Sequence, residues 1–407
     1  LLNTLELASI ILHRCDIALT ETPLLNRRFI RLQAILHLYS FYVCKQANYD
    51  WALDQIRDAF IPDIFSDVLA DKAQLAQEAQ QALALFASAS MPSSASFAAV
   101  APPSSRVSAV VSRALASYEN ELAKDMRRLE EGLSEAVVKI NQACLCIWQL
   151  LVEWAHIAKK QTDRPKLSQQ HAMTSSACLS HSPMLQRLQD DSVLAKLVQQ
   201  EAAGWEERMP LVESWYKQFV KKDPTVQCCL AHPITPVQDH QLLVFLIENI
   251  IFNQEAVQTF FGDLDLWWAT HKRIVRKLVH RGLSQLMQNS EKSPSFSMLD
   301  LAVHGKPEQC FYTELVRKTL KRDEALEALI VQKAKNWTVE RIMLLDKVII
   351  KLALCEMLYF TNIPIKVSIN EYIDLSKIYS TPKSSQFVNG LLDAIAATFS
   401  QEGSNKV

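Results

Sequence analysis

Residues 369–390 read INEYIDLSKIYSTPKSSQFVNG, a helical pattern broken by Ser-Thr-Pro-Lys-Ser-Ser and then resumed. Beyond the break, Val388, Leu391, Leu392, Ile395 and Phe399 recur at helical spacing. Pro382 suits a first turn, where its missing N–H would have had no partner anyway. The stretch therefore reads as helix, break, helix, and the break has two readings. As a turn, its Ser and Thr residues cap the second helix. As an anion site, Ser380, Thr381, Ser384 and Ser385 put hydroxyls beside free amides, and Lys383 adds positive charge, a set that suits a phosphate. Phe387 divides in the same way, into core or a platform on which an unpaired base stacks.

Upstream, NWTVERIMLLDKVIIKLALCEMLYF places Val339, Ile342, Leu345, Ile349, Leu352 and Leu358 near helical spacing. Ile363-Pro364 closes that helix, because a residue before proline disfavours the α region. Ser368-Ile-Asn-Glu371 has the pattern of a capping box and predicts the start of the next helix. Residues 308–400 form one C-terminal helical domain, with 401–407 as a tail.

Residues 25–86 form an N-terminal helical segment, with Leu32, Ile35, Leu36, Tyr39 and Val43 on one stripe. Arg27, Arg28 and Arg31 lie three and four apart, so their charges share one helix surface. That surface is either solvated or a small cationic patch. An Ala/Ser/Pro linker is predicted over 87–109. A helical middle region spans 110–287, with a polar loop near 160–184, and a further loop follows over 288–307. The middle region carries the basic run HKRIVRKLVHR, whose Lys272, Arg273, Arg276, Lys277 and Arg281 form a solvated helix face or a separate nucleic-acid site. The sequence opens on Leu1, not Met, and residues 1–24 are read as an extension produced by start assignment.

Composition bounds the rest. Of 407 residues, 49% are apolar and 21% charged, as in globular proteins, and the net charge of -1 supplies no global attraction for nucleic acid. Only 7 glycines are present and none cluster, which excludes phosphate-cradling Gly-rich loops and argues for an all-α chain. The 9 cysteines form no C-x-x-C pair, the usage of reduced thiols in a cytoplasmic compartment. No zinc pattern, cofactor motif, signal peptide or uninterrupted apolar stretch of membrane-spanning length is seen.

The C-terminal half resembles the NusB family of transcription antitermination factors. The resemblance rests on Glu356, Ile363, Pro364, Lys366, Val367, Ile369, Asn370, Glu371, Lys377, Phe387, Val388, Asn389, Gly390, Leu392 and Asp393 at fixed spacing. It is strong over roughly 308–397. NRRFIRLQAILHLYSF is similar to the family's arginine-rich first helix, with Leu38, Tyr39 and Ser40 matching its L-Y-S element. The S-T-P-K-S-S break and the extra helical sequence resemble the long forms found in Bacteroidetes. The resemblance implies a pair of helical bundles with a large helical insertion and flexible linkers, and no enzymatic activity. It implies that the first helix brings Arg27, Arg28 and Arg31 toward Lys383–Phe387. It also implies binding of boxA-type leader RNA together with the ribosomal protein NusE, acting through other Nus factors and RNA polymerase on ribosomal RNA operons. RNA contacts would be Arg27, Arg28, Arg31, Lys383, Ser384, Gln386 and Phe387, with Tyr39 and Glu356 facing the protein partner. Two alternatives stand beside this. One is a helical adaptor without RNA binding. The other is the NusB-like domain of an RNA methyltransferase, which needs a glycine-rich cofactor domain downstream of Ala397.

Overall fold

The computed structural model describes residues 26–62, 72–90, 103–162, 177–228, 235–288, 307–333 and 342–402. Among them the regular structure is helical, without strands, as the scarcity of glycine predicts. In chain order the helices are α1 (Arg27–Asp58), α2 (Lys72–Ser90), α3 (Ser105–Thr162), α4 (Ala177–Ser180), α5 (Pro183–Gln189), α6 (Ser192–Gln200), α7 (Met209–Trp215), α8 (Pro224–Cys228) and α9 (Pro236–Phe245). They continue as α10 (Glu255–Leu264), α11 (Trp268–Gln288), α12 (Pro307–Lys321), α13 (Asp323–Lys333), α14 (Leu344–Tyr359), α15 (Ile365–Tyr379) and α16 (Pro382–Glu402).

The helices form two compact units. The terminal unit holds the described residues of 27–133 and 305–407, and the inserted unit those of 134–304. The first division falls inside α3, not at the predicted boundary of 110, and the second, at 304/305, falls within the predicted loop 288–307. Residues 87–90 end α2 and 105–109 begin α3, so both flanks of the predicted linker are helical. Alanine is the best helix former, and its abundance there favours helix although charge and periodicity are missing. Residues 91–102 of that linker, most of the polar loop near 160–184, the predicted loop over 288–307 (save Gln288 and Pro307, which are helical) and residues 1–24 lie outside the described residues.

In the terminal unit, α1 packs against α2, α12 and α14, while α14, α15 and α16 pack on one another. One core joins the second half of α1 to α2 and the start of α3 through Ile56, Phe86, Val107 and Tyr118. Gly132 lets three helices meet. A Cβ at that position would lie 2.7 Å from the His37 ring and 2.7 Å from the Tyr312 hydroxyl, closer than side chains tolerate. Beside it, Tyr312 donates to the Leu129 carbonyl at 2.7 Å, and Arg317 grips Glu130 at 2.6 and 2.7 Å.

In the inserted unit, α3 supplies the buried Trp148 and Trp154, and Trp205 donates its indole N–H to the Cys146 carbonyl at 2.9 Å. Its helix starts follow local sequence. Ser182, Asp191 and Thr235 accept from first-turn amides, and Thr235 with Gln238 completes a capping box. By length and composition one window of α3 is apolar enough to cross a membrane, although polar residues interrupt it. It is 67% buried inside the fold and serves as core.

Candidate nucleic-acid interface

The start of α1 has no acidic residue in its first turn, so nothing on the helix itself answers its arginines. Their partners come from the far end of the chain. Arg27 is exposed and lies over the Phe311 ring, 5.4 Å from its centroid. Arg28, half-buried, is 3.5 Å from Asp374 and 3.9 Å from Glu371 on α15. Arg31 is buried with 3% of its surface exposed, and Glu356 opposite it is 0% exposed.

Arg31 and Glu356 form a two-pronged pair. Nε donates to Oε2 at 2.9 Å and Nη2 donates to Oε1 at 2.8 Å. Ser368 adds a hydroxyl to Oε1 at 2.6 Å and Tyr372 adds one to Oε2 at 3.2 Å. A buried carboxylate is tolerable only when its lone pairs are filled in this way. Burial alone would lower the Arg31 value, but the hydrogen bonds and charge of Glu356 outweigh it and hold the guanidinium more firmly protonated than usual. Burial, then the charge of Glu356, pushes the Tyr372 phenol well up.

Two expectations are thereby corrected. Arg31 does not share an exposed surface with Arg27 and Arg28, because it faces Glu356 across the bundle. Glu356 does not lie on the surface either, so it cannot join Tyr39, which is 37% exposed, in one contact face. The predicted stripe of α1 is buried only in part, at Ile35 and Leu36. Ile30, Ala34, Leu38 and Phe41 are buried, whereas Val43 is 43% exposed. Ser368 does not open α15 as a cap. That helix starts at Ile365, with Pro364 before it, and the Ser368 hydroxyl goes to Glu356 instead.

The break between α15 and α16 is built mostly as a turn. Ser380 donates to Asp346 at 2.6 Å, and Asp346 is itself buried at the start of α14. Thr381 caps α16 by accepting from the Ser384 amide at 3.2 Å, and its own hydroxyl donates to Ser384 Oγ at 3.0 Å. Ser385 donates to the Pro382 carbonyl at 3.0 Å. Three of the four hydroxyls are thus donated to groups within the fold. Lys383 and Gln386 are exposed on the first turn of α16, while Ser384 and Phe387 are half-buried. What the structure brings together is Arg28 with the outer face of α15, the helix that leads into this turn. Sequence reasoning missed Phe311, Ser368, Tyr372 and Asp374 as partners of the arginines. Nothing local marks them, since each acts from a distant segment.

The fold defines a class of all-α bundle protein in which an arginine-led first helix is tied to a C-terminal set of helices, with a second helical unit inserted between. A family model described as NusB family matches residues 273–397. The chain is 32% identical over 127 residues to the transcription antitermination protein NusB of Bacillus mycoides (strain KBAB4), covering 31% of this chain and 98% of that relative. It is 41% identical over 93 residues to the protein of that name from Salinibacter ruber, covering 23% of this chain and 58% of the relative. For the Oleidesulfovibrio alaskensis protein of that name the figures are 46% over 86 residues, 21% and 56%. The chain belongs to the NusB family. It spans 58% and 56% of the length of the Salinibacter and Oleidesulfovibrio relatives, and 40% of the protein of that name from Chloroherpeton thalassium. The family match begins inside α11 and leaves α1 outside it. No solved structure matches the chain.

Proposed function

We propose that this chain is a non-enzymatic, cytoplasmic RNA-binding factor of transcription antitermination. It binds boxA-type leader RNA together with the ribosomal protein NusE and promotes transcription of ribosomal RNA operons through other Nus factors and RNA polymerase. The observation that carries this reading is the match to the Bacillus mycoides transcription antitermination protein along 98% of that relative's length. Arg27, Arg28, Lys383, Ser384, Gln386 and Phe387 are the proposed RNA contacts. The ion pairs of Arg28 are loose and half-solvated, so a phosphate can replace the two carboxylates at little cost. Arg31, with Glu356, holds the start of α1 in place from below. Tyr39 is the proposed point of contact with the protein partner.

Titration of a boxA-type RNA against the full chain, with and without NusE, tests this reading. Phe387→Ala should weaken binding by about ten- to a hundredfold, the value of one base stacked on an aromatic ring. Lys383→Ala should cost less, and its effect should shrink at high salt. Melting of the same variants separates the alternatives. A destabilised Phe387→Ala chain whose folded fraction binds RNA normally makes Phe387 core, and a wild-type chain that binds no RNA leaves the adaptor reading.

A further inference from the structure

Helix α11 carries Lys272, Arg273, Arg276, Lys277 and Arg281 and has no Asp or Glu along its length. In a chain of net charge -1 this is a marked local imbalance. Its orientation is fixed, because Val275, Leu278, Val279, Leu283 and Leu286 are buried and turn the cations outward.

The cations fall into two rows four residues apart, and the fold treats them differently. Lys272, Arg276 and His280 run along one side. Glu248 lies against this row, 3.3 Å from Arg276 and 2.6 Å from His280, and Arg276 also stacks 4.9 Å from the Phe252 centroid. Arg273, Lys277 and Arg281 form the other row, with Arg273 and Arg281 exposed and Lys277 half-buried. At 1.5 Å of rise per residue, the second row spans roughly 12 Å of helix.

We propose that the Arg273–Lys277–Arg281 row is a second RNA contact, one that follows the phosphate backbone without reading bases. This rests on the proposed RNA binding and extends it to the inserted unit. A straight row of cations with a fixed outward direction suits a polyanion, and phosphate contacts of this kind position a strand without carrying sequence information. The neighbouring acid serves the other row, whose Lys272 is already lowered by burial and by the charge of Arg276.

The test uses the full chain with a boxA-type RNA and an unrelated oligouridine. Arg273→Gln, Lys277→Gln and Arg281→Gln together keep helix-forming side chains and remove three charges. The variant should bind both RNAs about ten- to a hundredfold more weakly at low salt, and by a similar factor for each. The salt dependence should flatten by about 2 in the log–log slope, the value for three phosphate contacts on a single strand. Lys159→Gln with Lys160→Gln, exposed cations at the end of α3, should change neither. An unchanged slope in the triple variant while wild type binds RNA overturns the row alone. Equal loss per charge at Lys159 and Lys160 reduces it to diffuse attraction, which also overturns it. A row needed for binding phosphatidylserine vesicles but not RNA overturns it in favour of a membrane surface. Wild type that binds neither RNA removes the functional reading and this inference together.

Discussion

Helices α1 and α11 both carry cationic residues three and four apart, yet their charges end in different surroundings. On α1, Arg31 is sealed against Glu356, Arg28 faces Asp374 and Glu371, and Arg27 lies over Phe311. On α11, one row meets Glu248 while the other points outward. Spacing along a helix decides which side chains share a face. It does not decide what arrives opposite that face from elsewhere in the chain. The same residue pattern thus yields a structural clamp in one unit and a half-open cationic surface in the other.

The clamp should give the largest effect. Glu356→Ala leaves buried Arg31 with only Glu371, 3.8 Å away, as counter-charge, and should destabilise the terminal unit by about 3–5 kcal/mol, read by thermal or denaturant unfolding. Arg31→Met combined with Glu356→Leu should recover most of that loss, because the desolvation cost of both charges disappears. A cost below about 1 kcal/mol for Glu356→Ala would mean the pair is wetter than its geometry implies, and the contrast with α11 would fail.

Glu248 should give an intermediate effect that depends on pH. Burial pushes its carboxyl up, but the hydrogen bond from His280 and the charges of Arg276, His280 and Lys272 outweigh this and lower it overall. A folded value below the unfolded one means the stabilisation is fully present above the ordinary carboxylate range and is lost as pH falls through the folded value. Glu248→Gln should therefore melt below wild type near neutrality, with the gap closing in acid. A gap that persists unchanged in acid would assign the effect to packing.

Arg28 should give the smallest change in stability. Its ion pairs at 3.5 and 3.9 Å are solvent-screened, so Arg28→Ala should alter stability by about 0–1 kcal/mol. The same change should flatten the salt dependence of boxA binding by about 0.7 in slope. Loss of stability on the scale of Glu356→Ala would place Arg28 in the clamp.

The sequence made some features legible because their causes are local. Pro382 opens α16, and among the described residues the regular structure is helical, as the glycine count predicts. Other features were hidden because their causes are remote. Ser368 and Glu371 have the spacing of a capping box, but a buried carboxylate from α14 claims the serine. Ser380, Thr381 and Ser385 are the hydroxyls expected at an anion site, yet a buried aspartate and the backbone of the turn take them. The burial of Arg31 is hidden because arginine is seldom buried and its counter-charge has no sequence neighbour to announce it.

Arg31 and Glu356 are separated by 325 residues, and that distance sets a timetable. At about 5–20 residues per second, Arg31 leaves the ribosome roughly 15–65 seconds before the carboxylate that neutralises it. Throughout that interval α1 has no partner for its buried-to-be charge, and its guanidinium must stay hydrated. The inserted unit is translated in full meanwhile and has time to fold first. The terminal unit, although it contains the earliest helix among the described residues, can close only after α14 and α15 have been made.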